Sequence, residues 1–146
     1  GLVRREVTRV LSPGVVADGA LLPPSETRWL AAVAARGERL GLSWLDASTG
    51  DWAVAEWAGE GAATALAEEL ARLAPAETLV PDDLDDAPWR AGIPGHVRRV
   101  ERWPADPERA ADGLKAHLGA ASLIPFGCAD LPAAVGAAGL VLARLE

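Results

Sequence analysis

Leu40-Gly41-Leu42-Ser43-Trp44-Leu45-Asp46-Ala47-Ser48-Thr49-Gly50-Asp51-Trp52-Ala53-Val54-Ala55-Glu56-Trp57 is the stretch on which the fold turns. Leu40 to Asp46 is apolar and short, the signature of a strand. Ala47-Ser48-Thr49-Gly50-Asp51 then stops it with turn formers. Trp52 to Trp57 alternates, placing Trp52, Val54 and Glu56 on one face and Ala53, Ala55 and Trp57 on the other. Two strands joined by so short a turn pair antiparallel.

Upstream, Trp29 to Ala35 is an uncharged apolar run that reads as a buried strand. Arg36-Gly37-Glu38 turns it into the next, which completes a three-stranded meander. Trp29 and Trp44 fall in the strands expected to be most buried; Trp52, Trp57, Trp89 and Trp103 are left open. Pro23-Pro24 marks a loop. Val7-Thr8-Arg9-Val10-Leu11 is β-branched and ends at Ser12-Pro13-Gly14, so it is a leading strand that pairs at an edge or belongs to a linker.

Downstream the period changes. Leu66, Leu70 and Leu73 recur at helical spacing, with Glu68, Glu69 and Arg72 off the stripe. Pro75 ends that helix, because proline drives its predecessor out of the helical region. Gly59-Glu60-Gly61 before it reads as a loop and helix entry. Thr78-Leu79-Val80 is a short strand closed by Pro81. The acidic loop Asp82-Asp83-Leu84-Asp85-Asp86 follows. Val97 to Glu101 is a further strand, charged enough to lie near an edge. Asp106-Pro107-Glu108 opens a helix with an N-cap, a proline at the first position and an acid in the first turn. Leu114 and Leu118 carry its apolar stripe, and Gly119 ends it. Ser122 to Gly127 is extended or loop. Asp130 is expected to cap a last helix with Leu131, Val135, Ala138, Leu142 and Leu145 on one face.

Three antiparallel strands followed by two parallel additions with crossover helices predict an α/β fold. It is a ribonuclease H-like three-layer domain, with a five-stranded mixed sheet flanked by helices. The right-handedness of crossovers leaves few other arrangements.

The 146 residues amount to one domain, large enough to fold without a disulfide or metal staple. A formal charge of −7 argues against tight, sequence-independent DNA binding, which is driven by cations displacing counterions from phosphate. Cys128 is the only cysteine, so an internal disulfide cannot form and a zinc site is disfavoured; it reads as a small, half-buried apolar residue in a reducing compartment. No apolar run reaches membrane-spanning length, and no signal peptide is present. Both ends read as cuts through a longer polypeptide. Lys115 is the single lysine, which reads as composition bias.

A ribonuclease H-like nuclease clusters carboxylates around two metal ions about 4 Å apart, one of them from the middle of the first strand. Trp29 to Ala35 holds no acid. If the first strand is instead Leu40 to Asp46, Asp46 is the candidate, with Glu69 and Asp82 as helpers. The favoured alternative makes Asp46, Ser48 and Gly50 a structural turn. Asp82, Asp83, Asp85 and Asp86 lack the glycine and distal glutamate of a calcium loop. No phosphate-binding Gly-rich loop ends in Lys-Ser or Lys-Thr. Ser48, His117 and Cys128 have no partners at recognisable spacing for nucleophilic catalysis. Catalytic, cofactor and metal residues are therefore all expected to be absent. His96, Arg98, Arg99, Arg102 and Trp103 form the candidate interaction surface. Arginine forks suit phosphate, whereas alternation splits Arg98 from Arg99 and Glu101 dilutes the patch; a solvated edge is the favoured reading. Arg4, Arg5 and Arg9 stand the same way, with an interdomain contact as a further option.

Three stretches resemble a known family in its order. They are Val3 to Gly14, Leu40 to Asp51 with its Asp-x-Ser-Thr-Gly turn, and Leu73-Ala74-Pro75-Ala76-Glu77-Thr78-Leu79-Val80-Pro81. The tail Ala137-Ala138-Gly139-Leu140-Val141-Leu142 adds to them. Together they resemble the connector domain, the second domain, of the bacterial mismatch-recognition protein MutS; Ala87 to Leu123 matches only in pattern. The resemblance implies residues 1–14 as the linker from a preceding mismatch-binding domain, 15–129 as the connector core, and 130–146 as a helix leading toward a lever domain. It also implies a cytoplasmic, non-catalytic role, coupling mismatch binding to an ATPase and offering MutL a docking surface. ATP and magnesium would bind elsewhere in a homodimeric parent, and mismatched DNA would be met through the parent. A ribonuclease H-like nuclease or resolvase fragment, and an unrelated protein-interaction domain, are the alternatives.

Overall fold

The computed structural model describes residues 5–12 and 28–145. The turn at Pro13-Gly14, the Pro23-Pro24 loop, Arg4 and Glu146 lie outside them. Six strands are β1 (Arg5–Ser12), β2 (Leu30–Arg36), β3 (Arg39–Leu45), β4 (Trp52–Ala58), β5 (Glu77–Pro81) and β6 (Val97–Val100). Three α-helices are α1 (Ala62–Leu73), α2 (Pro107–Leu118) and α3 (Pro132–Leu145).

The sheet order is β1-β4-β3-β2-β5-β6. β2, β3 and β4 form the antiparallel meander, and β5 and β6 add parallel beside β2. The expected five strands become six, because β1 pairs antiparallel with β4 from Arg5↔Ala58 to Ser12↔Trp52. The leading segment is thus an edge strand, and its pairing encloses β4. The two faces of β4 are covered by the helices: Trp57 packs against α1 and Trp52 against the α2–α3 side, where Leu11 of β1 joins it, and they are only 1% and 2% exposed. Trp44 is buried, but Trp29 is only partly so, since it precedes β2 at the end of the sheet.

Strand alternation divides the core in two. Ala31, Val33, Leu42, Ala55 and Trp57 face α1, with Leu66 and Leu70. Ala32, Ala34, Trp52, Val54 and Leu79 face α2 and α3. α1 ends where Ala74 turns left-handed (φ 44°) and donates its N–H to Leu70, just before Pro75. α2 starts as its sequence predicts: Asp106 accepts the Arg109 N–H, Pro107 holds the first position, and Gly119 closes the helix at φ 67°.

α3 departs from expectation at both ends. Asp130 is exposed and does not cap it; Leu131 accepts the first helical bond, from Val135 N–H. Pro132 has no N–H, and the next two donors, Ala133 and Ala134, reach Glu56 Oε1 on β4 at 2.8 and 3.0 Å. The cap therefore comes from across the sheet. Residues 133–142 are buried all round, not along one stripe, and Leu145 is 43% exposed. Such enclosure needs small side chains: a Cβ on Gly136 or Gly139 would lie 2.7 Å from Ala105 O or 2.3 Å from Pro104 O. Cys128 is fully enclosed, not half-buried, and burial pushes its thiol above the ordinary value.

Candidate functional site

Of the five residues of the candidate surface, His96 precedes β6, Arg98 and Arg99 lie on it, and Arg102 and Trp103 follow it. Parallel pairing sets Leu79 against Arg98 and Val80 against Arg99. Leu79 belongs to the α2–α3 core and Val80 to the α1 core, so the two guanidinium groups leave opposite faces of the sheet. Arg98 meets Glu77 at 3.1 Å, and Glu77 also holds Arg144 of α3 at 3.3 Å. His96 Nε2 stands 3.8 Å from the same carboxylate. On the other side Arg99 donates to Asp85 at 3.0 Å, and Arg102 pairs with Asp83 at 3.3 Å. The three arginines are thus matched by Glu77, Asp83 and Asp85.

Trp103 is the apolar member and is exposed, at 55%. Its indole N–H donates to Glu101 at 2.7 Å, and the Arg109 guanidinium lies 5.1 Å from the ring centroid. Beside it an open groove of about 290 Å³ runs between β6 and α3, lined by Leu79, Val100, Pro104, Leu140 and Ala143. An exposed tryptophan on an apolar rim is the arrangement from which protein-contact anchors are built.

Partial burial works to raise the Glu77 carboxyl, but the hydrogen bonds and charges of Arg98 and Arg144 outweigh it and hold the group below its ordinary range. A depressed carboxyl stabilises the fold above its unfolded-state value, and that gain is lost as pH falls through the folded-state value. Both arginines are half-exposed, so the gain is screened and stays below about 1 kcal/mol. Wild type is therefore expected to exceed Glu77→Gln in Tm at pH 7, with the gap closing as the pH falls below the ordinary glutamate range and through the lowered folded-state value. A gap that widens on acidification contradicts this assignment. Asp85 is lowered likewise, chiefly by the hydrogen bond from Arg99, whose own pKa is raised in return.

The alternative centre at Asp46 is a closed turn. Asp46 is buried, and its Oδ1 accepts the Ser48 N–H at 2.9 Å and the Ser48 hydroxyl at 2.6 Å. Gly50, at φ 84°, donates its N–H to Asp46 O at 2.7 Å, and Asp51 N–H reaches Thr49 Oγ1 at 3.2 Å. Glu69 is engaged by Arg72 on α1, while Asp82 begins the turn after β5. The three carboxylates do not meet: among the described residues no three His, Cys, Asp or Glu side chains group to hold a metal ion. No helix among them is long and apolar enough to cross a membrane.

Sequence reasoning did not single out Glu56, the buried acid of greatest structural consequence. Its one signal was an acid on the Trp52–Val54 face of an otherwise apolar strand.

A six-stranded mixed sheet with helices on both faces, whose buried acids serve turns and helix ends, defines the class of three-layer α/β domains. The family model described as MutS domain II matches residues 28–146, and the chain belongs to that family. It is 42% identical over 155 residues to the DNA mismatch repair protein MutS of Myxococcus xanthus (strain DK1622), covering 100% of this chain and 17% of that one. The MutS of Anaeromyxobacter dehalogenans (strain 2CP-C) is 42% identical over 149 residues, covering 99% and 16%. That of Syntrophobacter fumaroxidans is 39% identical over 153 residues, covering 100% and 17%. The chain thus spans about a sixth of the length of these relatives.

Proposed function

We propose that the chain is the connector of a MutS-type mismatch-repair protein, a non-catalytic body that passes movement between a mismatch-binding part and an ATPase part. The strand order β4-β3-β2-β5-β6, with helices on both faces, supports a ribonuclease H-like ancestry for it. In this reading ATP and magnesium bind elsewhere in a cytoplasmic, homodimeric parent, and the other domains and MutL are its partners. The Trp103 rim and its groove suit the docking role.

One observation carries the proposal: α3 is enclosed between the sheet and α2 with backbone against backbone. A body packed in this way does not deform continuously, so a displacement at one end appears at the other.

The test is a chimera in which this chain replaces the matching segment of the Myxococcus xanthus protein. Expected are restored mismatch repair in a strain lacking its own MutS, and ATP-dependent capture of MutL. A chimera that binds mismatched DNA and hydrolyses ATP but neither captures MutL nor repairs defeats the docking half. The chain alone is expected to leave RNA, DNA and hybrid duplexes intact with magnesium or manganese. Robust cleavage lost in Asp46→Asn would replace the connector reading with a nuclease.

A further inference from the structure

Helix α3 is held to the sheet at a seat made of two facing residues. Gly41 on β3 and Glu56 on β4 are cross-strand partners. Gly41 has no side chain, and the Ala133 carbonyl occupies that space: a Cβ there would lie 2.1 Å from Ala133 O. Glu56 stands opposite and is only 4% exposed. Its Oε1 accepts the Ala133 and Ala134 N–H groups at 2.8 and 3.0 Å, and its Oε2 takes Arg39 Nη1 at 2.8 Å. Arg39 also reaches the Asp130 carbonyl, at 3.5 Å, and its side chain is 42% exposed. The carboxylate thus meets the positive end of the helix on one oxygen and a solvent-reachable cation on the other.

We propose that Glu56 is a latch: it couples α3 to the meander, and the first turns of α3 release from the sheet as a local unit when that carboxylate is lost. The helix brings no cap of its own, since Asp130 is turned to solvent and Pro132 donates nothing. Two buried donors therefore depend on one oxygen from a residue 77 and 78 positions away. Unsatisfied buried donors favour opening toward water, and the first turns of α3 have, besides this carboxylate, only the long Arg39 contact at the Asp130 carbonyl among the polar bonds described to the meander. The meaning of the latch for coupling rests on the connector reading; the latch itself does not.

Amide hydrogen exchange on the 146-residue chain tests it. In Glu56→Ala the amides of Ala133 to Ala137 are expected to exchange at least about tenfold faster, since the loss of even one of the two charge-assisted helix bonds is worth that factor. The β3 amides Leu42 and Trp44 should stay within about twofold of wild type, because local opening leaves the sheet closed. Glu56→Gln retains an acceptor and loses the charge, so it should speed the same amides by less; it also serves if Glu56→Ala fails to fold. Arg39→Ala should act at the same amides, more weakly. Equal acceleration in α3 and β3 makes Glu56 an ordinary contributor to global stability and overturns the latch, as does no acceleration in either variant. A latch that passes in a chain whose chimera does not function removes the connector reading alone.

Discussion

Trp57→Ala is expected to lower unfolding stability by about 4 kcal/mol, within the range for deleting a large aromatic side chain from a core. Trp57 is 1% exposed and stands in the cluster with Leu40, Leu42, Ala62, Ala65 and Leu66. Its strand is flanked by β1 and β3, so neither neighbour can swing in to fill the void without breaking ladder pairing. The surroundings relax only in part, and the cost is transfer free energy plus a cavity. A domain of this kind is stable by about 5–15 kcal/mol, so the change removes a large share of the total. Urea titration measures it as a lower midpoint with an unchanged slope. Trp103→Ala is the comparison. That ring is 55% exposed, and losing its contacts with Glu101 and Arg109 should cost less than about 1 kcal/mol. Equal losses in the two variants contradict the assignment of burial.

The contrast between these tryptophans marks what the sequence made legible. Local devices were readable: the period change between Trp57 and Leu66, the stop at Pro75, and the Asp106-Pro107 start of α2 each depend on neighbours a few residues away. Burial of Trp52 and Trp57 was not, because it depends on which helix covers each face of the sheet: α1 over Trp57, and α2, α3 and Leu11 of β1 over Trp52. With five strands, β4 is an edge; with six it is interior. The polarity of the candidate surface was hidden for the same reason. His96, Arg98, Arg99 and Arg102 look like a cationic run in sequence, but their carboxylates sit at Glu77, Asp83 and Asp85, brought near by parallel pairing. Asp130 is the local candidate to cap α3, because local capping is the commonest solution, but a glutamate from another strand does the work. Composition offered a hint at α3, whose Ala and Gly run permits the close approach that was read only as a stripe.

Gly41→Ala is expected to cost about 3 kcal/mol or more, at the upper end of what overpacking does in a core. Gly41 does not owe its place to a left-handed backbone; its φ is not among the positive ones. The obstacle is spatial. The added methyl would lie 2.1 Å from Ala133 O, 2.2 Å from Ala133 C and 2.5 Å from Ala134 N. All three are backbone atoms, so no rotamer change clears them, and α3 must lift from the sheet. Lifting it stretches the bonds from Ala133 and Ala134 to Glu56, which adds a polar loss to the steric one. Gly92→Ala is the control: nothing lies within 4 Å of a Cβ there, and the expected change is within about 0.5 kcal/mol. Urea unfolding separates the two variants, and exchange at Ala133 and Ala134 shows whether the helix has moved. A tolerated Gly41→Ala, with those amides still protected, means that α3 approaches β3 less closely than the 2.1 Å clearance states, and the rigid coupling argued from that contact loses its basis.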